Sequence, residues 1–340
     1  MSAEGNPAQF RERAAAANLG TAVAERFLPC LRCPVCRGAL APRADSLVCE
    51  NGHAVPVSGG FPDFVPFARG ALDEKIRQAE FHDDERNNET FDEIVRRPYN
   101  GGPVHAESWL YHLRHFRGRL PRALGIDLPG ATVLNCGCGG GFEAQFLAEA
   151  GASVVGVDIS RLRVEAAATR FAMHGLDGFF FRGDAASLPF PDATFDLVVY
   201  HDSLHHLPIE EIPSAVGEAA RVARVGVALL EAHDSPLRSL LEALGKSSSV
   251  ERAGNYVFRF RPSLIRFWAA RYGLHLADYS VLLTKKQHRP TYYARPILGR
   301  AVYGLVRAVG LLLRPLGNEA CILLSKRSPK RNRGSPARGA

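Results

Sequence analysis

Three sets of residues have the types and spacing to do chemistry. The first is Cys33, two residues, Cys36, twelve residues, Cys49, three residues, His53. Two thiolates on the CPVCRG turn, whose N–H groups point at sulfur, joined by a third thiolate and an imidazole, suit Zn²⁺. Four protein ligands leave no open position, so the metal would be structural. Four of the seven cysteines fall within residues 30–49, which argues against chance spacing. Cys30 competes as a ligand, and a CxxCxxC cluster site or a disulfide pair are the alternatives.

The second set is Gly137, Gly139 and Gly141, followed 21 positions after Gly137 by Asp158. Glycine lets the backbone turn sharply and lets a ligand approach without a Cβ in the way. The helix that follows offers unpaired N–H groups to an anionic group. A carboxylate at this distance is where a strand–helix–strand unit meets a ribose. The dinucleotide fingerprint needs a third glycine where Phe142 stands, so the glycines run GxGxG instead. The third set is His201, Asp202, His205 and His206. Histidine titrates near neutrality, so His201 or His205 is a candidate general base. In the bland alternative, His205 and His206 merely begin the next helix. Cys138 reads as a small lining residue rather than a nucleophile.

These residues need elements to hold them. Ala131–Asn135 and Val154–Val157 read as buried parallel strands, with a helix over Phe142–Ala150 between them. Ser160 is a suitable N-cap for a helix over 161–174. Phe179–Arg182 and Phe195–His201 read as the third and fourth strands. A helix over about Ile209–Ala223 leads to a fifth strand, Val225–Glu231. The histidine cluster therefore falls at the open carboxyl edge of a doubly wound sheet, where such folds place their chemistry.

GCGGG, Asp158 at the end of the second strand, GDAASLPF and the strand FDLVVYHDSLHHL occur in order. Together they resemble class I S-adenosylmethionine (SAM)-dependent methyltransferases, in particular the subgroup that includes the quinone-biosynthesis enzymes, over residues 130–235. The resemblance implies an α/β, seven-stranded Rossmann-like fold with late strands at 275–284 and 319–325. It implies that Gly137, Gly139 and Gly141 line the methionine end of SAM, that Asp158 binds the ribose hydroxyls and that Ile159 lies against the adenine. Asp184 would accept from the adenine amino group, Ala185 would supply a backbone N–H, and His201 would sit near the sulfonium. Asn135 stands where the family usually has Asp or Glu; it can hydrogen-bond but brings no negative charge toward the ligand's ammonium. Methyl transfer from a sulfonium is an in-line displacement, helped by alignment and exclusion of water; a base is needed only if the nucleophile must lose a proton.

The cysteine ribbon, residues 30–67, resembles the N-terminal zinc domain of bacterial ribosomal-RNA guanine methyltransferases, and is similar to small zinc-ribbon proteins that activate RNA and protein methyltransferases. The chain then reads as an N-terminal helix (1–28), a zinc ribbon (29–68), a helical connector and cap (69–129), a methyltransferase domain (130–327) and a disordered basic tail (328–340). The connector is polar and acid-leaning, with little core expected over 70–100 and a break at Asn100–Pro103. Residues 104–124 form an amphipathic helix with Trp109, Leu110, Leu113 and Phe116 on one face. His105, His112 and His115 on it are candidate substrate contacts, with surface or cap positions as the alternative.

The formal charge of +7 is concentrated at one end: residues 325–340 carry +6, leaving +1 for the rest. That tail has the composition of a disordered segment. Arg300, Arg307 and Arg314 recur every seven residues and form one stripe of a helix over 297–315, opposite an apolar face. Such a helix packs on the sheet, or lies on a membrane or a lipid-like substrate. No apolar run of 18 residues predicts a transmembrane helix, and no signal peptide is evident. The expected location is cytoplasmic, with peripheral membrane contact through 297–315. The function expected is SAM-dependent methylation of a small or lipid-like acceptor. An RNA methyltransferase using the ribbon and tail, and a non-catalytic SAM-binding module, are the alternatives.

Overall fold

The computed structural model describes residues 7–68, 70, 72–85, 89–96, 104–245, 250, 256–282 and 317–327. The expected helix over 297–315 and the tail from 328 onward lie outside the described residues.

The N-terminal part begins with helices α1 (Pro7–Ala17) and α2 (Ala22–Phe27). A small antiparallel sheet follows: β1 (Leu40–Pro42), β2 (Ser46–Cys49), β3 (Ala54–Ser58) and β4 (Phe61–Pro62), in that order. Three helices come next: α3 (Leu72–Asp83), α4 (Phe91–Arg96) and α5 (Val104–Leu124). The second part alternates strand and helix: β5 (Thr132–Cys136), α6 (Phe142–Glu149), β6 (Ser153–Asp158), α7 (Arg161–His174), β7 (Gly178–Arg182), β8 (Phe195–His201), α8 (Ile212–Val222) and β9 (Ala223–Ala232). It closes with α9 (Pro236–Ala243), α10 (Pro262–Arg271), β10 (His275–Leu282) and β11 (Glu319–Ser325).

The second part forms a seven-stranded sheet in the order β10-β11-β9-β8-β5-β6-β7. β5 to β9 pair in parallel, while β11 runs antiparallel to both neighbours. β5, β11 and most of β8 and β9 are buried on both faces, which explains their near-continuous apolar sequences. The strand order reverses between β5 and β8, and that switch point opens a crevice at the carboxyl ends of the strands.

The edge strand β7 is not left bare. The Asn18 amide donates to Phe180 O (2.8 Å), and the Phe180 N–H donates to Asn18 Oδ1 (3.0 Å). Thr21 Oγ1 donates to Gly178 O (3.0 Å), and the Phe64 N–H donates to Arg182 O (2.8 Å). The N-terminal segments thus saturate an edge that would otherwise invite pairing with another chain. The ribbon and the large sheet also share one hydrophobic cluster, in which Leu31, Leu47, Val55 and Phe64 join Phe179, Phe181, Phe190 and Phe195. Phe27 stacks on Phe195 with centroids 5.0 Å apart.

One expectation is corrected and one alternative falls away. The stretch 70–100 does build core: Phe91, Ile94 and Val95 of α4 are buried with Ala166 of α7, and Lys75, Gln78 and Ala79 of α3 are buried. The reason is tertiary, because these short helices fold back over the crevice. His205 and His206 do not begin the next helix; they form a separate 3-10 turn, Leu204–His206, and α8 starts only at Ile212. Among the described residues no helix is long and apolar enough to cross a membrane.

Candidate functional site

The crevice at the switch point encloses a cavity of about 460 Å³. That lies within the range of small-molecule sites. Its floor is the turn after β5. Gly137 and Gly139 have φ of +63° and +50°. A Cβ on Gly137 would lie 2.4 Å from Ser203 Cβ, so only glycine lets β5 and β8 end side by side there. Ser203 Oγ closes the same junction by donating to Cys136 O (3.0 Å).

Asp158 ends β6 and lines the cavity. Its Oδ2 accepts from the Gly139 N–H (2.8 Å) and its Oδ1 from the Ser160 N–H (2.9 Å). One carboxylate thus braces the glycine turn and the start of α7, while each oxygen retains a lone pair for a ligand hydroxyl. Ser160 caps α7 as expected, accepting from the Arg163 N–H. Ile159, Asp184, Ala185 and His201 also line the cavity. Asn135 and Gly141 do not. Asn135 is buried in mid-β5, where its amide N–H reaches only to Val199 O at 3.5 Å and its Oδ1 has no hydrogen-bond partner among the described residues. Gly141, at φ +80°, packs on Ala167 at the head of α6. Gly140 takes a place on the wall that sequence spacing did not assign to it.

The opposite wall comes from α3 and α4, through Lys75, Gln78, His82 and Ile94. Lys75 is almost fully buried; its ammonium donates to Asp184 Oδ2 (2.7 Å) and pairs with Glu211. Asp184 is therefore already engaged, with Oδ1 accepting from the Ala186 N–H (2.8 Å). Buried Arg170 of α7 ties α4 to the glycine turn, donating to Ile94 O (2.7 Å), Gly140 O (3.0 Å) and Gln145 Oε1 (3.0 Å). Neither cation was legible as a site residue, because nothing local marks a Lys or Arg that will be buried.

At the histidine end, Asp202 adopts φ +48°, a left-handed turn that Asp tolerates better than most residues. The turn directs the N–H groups of Ser203 and Leu204 to Glu231 Oε1, at 2.9 and 2.7 Å. Glu231 Oε2 meets His205 Nδ1 at 2.7 Å, and the Glu231 side chain is wholly buried. A carboxylate only accepts, so Nδ1 carries the proton and Nε2 is the nitrogen that can serve the cavity His205 lines. Sequence reading placed Glu231 at the end of the fifth strand and gave it no role. His201 faces Glu143, with Nδ1 3.2 Å from Oε1, and meets His112 edge-on with centroids 5.1 Å apart. His112 is thus a buried packing partner rather than a surface residue. Cys138, expected as a small lining residue, is instead buried off the wall, and burial pushes its thiol well above the usual range.

The ribbon brings its four residues together. Cys33 Sγ and Cys49 Sγ lie 3.7 and 3.4 Å from His53 Nδ1, and Cys36 Sγ lies 3.7 Å from Cys49 Sγ. All four donor atoms fall within 4.8 Å of one another. A tetrahedral centre with Zn–S of about 2.3 Å sets its thiolates roughly 3.8 Å apart, so the donor set and its spacing fit Zn²⁺. The Asn51 side chain, the Gly38 N–H and His53 pull the Cys36 thiol down to about 6. Cys30 stands outside the group, its thiol 3.7 Å from Arg26 O.

Residues 133–226 match the family model described as "Methyltransferase domain". A fatty-acid O-methyltransferase of Mycolicibacterium smegmatis is 30% identical over 171 residues, covering 43% of this chain and 61% of that enzyme. A phthiotriol/phenolphthiotriol dimycocerosates methyltransferase of Mycobacterium ulcerans is 31% identical over 180 residues, covering 45% of this chain and 64% of that enzyme. The chain thus matches less than two thirds of the length of these relatives. The crystal structure of magnesium protoporphyrin IX methyltransferase from Synechocystis PCC 6803 with bound SAH (S-adenosylhomocysteine) superposes with a TM-score of 0.53 at 21% identity, over 74% of this chain and 100% of that one. The chain therefore has the α/β fold of the class I SAM-dependent methyltransferases, and its match to the methyltransferase domain runs from β5 through β8 into the start of β9, over the strands whose ends build the cavity.

Proposed function

We propose that the protein is a SAM-dependent methyltransferase acting on a hydroxyl of a small or lipid-like molecule. The observation that carries this reading is His205, paired with buried Glu231, on the wall of the same cavity as Asp158, Asp184 and the glycine turn. Gly137, Gly139, Asp158, Ile159, Asp184 and Ala185 would hold the methyl donor. Bound there, SAM supplies a methyl group made electrophilic by its sulfonium. His205 takes the acceptor's hydroxyl proton at Nε2, which leaves the oxygen able to attack. Glu231 holds the ring in the tautomer that can do so and stabilises the imidazolium that results. α3 and α4 cover the cavity and keep water out. The names of the relatives, a fatty-acid O-methyltransferase and a phthiotriol methyltransferase, support a lipid-like acceptor. A general base suits an acceptor that must shed a proton, and the first relative's name, an O-methyltransferase, supports oxygen as the acceptor atom. Cys33, Cys36, Cys49 and His53 would hold a structural Zn²⁺.

The test is methyl transfer from labelled SAM to a lipid and small-molecule extract and, in parallel, to total RNA at two salt concentrations. Label is expected in the extract, with turnover lowered by roughly 10²-fold or more in His205→Ala while SAM affinity persists. Label in RNA that disappears at high salt would overturn the proposal, because phosphate contacts make RNA binding steeply salt-dependent.

A further inference from the structure

The amino-acid end of SAM carries an ammonium, and a buried ammonium needs an anionic or hydrogen-bonding partner. In mid-β5 Asn135 is neutral, buried and off the cavity wall. Among the described residues, five carboxylates line the cavity: Glu89, Glu143, Asp158, Asp184 and Asp202. Asp158 is held at the glycine turn and α7, Asp184 is engaged by Lys75, and Glu89 pairs with Arg163 at 3.7 Å. Asp202 groups with His205 and Glu231. Glu143 stands on the first turn of α6 beside the glycine turn, and its partner there is an imidazole rather than a Lys or Arg: His201 Nδ1 lies 3.2 Å from Oε1. The first turn of a helix is where a carboxylate complements the helix dipole.

We propose that Glu143 is the residue that binds the ligand's ammonium, doing from α6 what a carboxylate at position 135 would do from β5. The assignment rests on the reading of this cavity as a SAM site. It also gives the Glu143–His201 contact a role. An ammonium bound there would compete with the His201 imidazole for the Glu143 oxygen that the ring now faces.

The test uses binding alone, by calorimetry with three adenosyl ligands: SAH, its deaminated analogue, and 5′-methylthioadenosine, which lacks the amino-acid end. SAH has no sulfonium, so the ammonium is its only positive charge. Wild-type protein is expected to prefer SAH to the deaminated analogue by about tenfold or more. Glu143→Gln is expected to abolish that preference and leave 5′-methylthioadenosine affinity unchanged. If the Gln variant does not fold, Glu143→Ala is judged by the same ligand pair. Retention of the preference in a folded variant overturns the assignment, as does an equal loss for 5′-methylthioadenosine, which would mark a structural role. A wild-type protein that binds none of the three would overturn the cofactor reading and this inference with it.

Discussion

At the scale of single residues, Asp158 has two jobs. Its oxygens brace Gly139 and Ser160 and also face the cavity. Asp158→Ala should therefore lower SAM affinity at least about tenfold, since each charge-assisted hydrogen bond is worth roughly 1.5–3 kcal/mol. Calorimetry measures the loss, and a thermal melt of the same variant separates ligand contacts from loosening of the turn. Unchanged affinity would remove Asp158 from the cofactor site. Glu231 acts at this scale as well. Its three accepted hydrogen bonds leave it little freedom, and that rigidity fixes His205.

At the scale of elements, α3 decides whether the cavity is closed. The helix is polar on paper, yet Lys75 anchors it between Asp184 on one side and Glu211 on the other. Replacing Lys75 by Met leaves two buried carboxylates without their shared cation. Breaking a buried pair in this way costs about 3–5 kcal/mol. Urea denaturation of Lys75→Met should show a loss of that order at neutral pH, with faster hydrogen exchange in α3 than in β5 or β8. A variant as stable as the wild type would show that Lys75 does not hold the helix down. α4 is fastened differently, by Arg170 through Ile94 O, so the two covering helices have separate anchors.

At the scale of the whole molecule, the ribbon contributes side chains to the core of the large sheet. Arg182 of β7 pairs with Asp63 (2.9 Å), and the Arg32 N–H donates to Pro189 O (2.8 Å). A ribbon joined this way should not unfold alone. Purified protein is expected to hold about one Zn²⁺ per chain. Chelation, or Cys36→Ser, should lower the melting temperature of the entire protein in one transition, followed both by near-UV circular dichroism and by loss of SAH binding. Two separate transitions, with SAH binding surviving the first, would show that ribbon and sheet are energetically independent.

Much of this was legible from the chain. Alternating glycines after an apolar strand, and an acid at the end of the next, announce a parallel strand–turn–helix unit, because backbone conformation and hydrogen-bond pairing are local requirements written in residue type. The four zinc-type ligands were legible for the same reason, since a short loop must bring them together. Burial over the crevice was not. Nothing near Lys75, Arg170 or Glu231 in the sequence says that each will lie in the core, because their partners, Asp184, Ile94 and His205, stand 109, 76 and 26 positions away. The distinction between Asn135 and Glu143 was also tertiary. Both follow from the same β5–α6 unit, but only the packing of β5 between its neighbours turns the first away from the cavity, and only the direction of α6 brings the second to its wall.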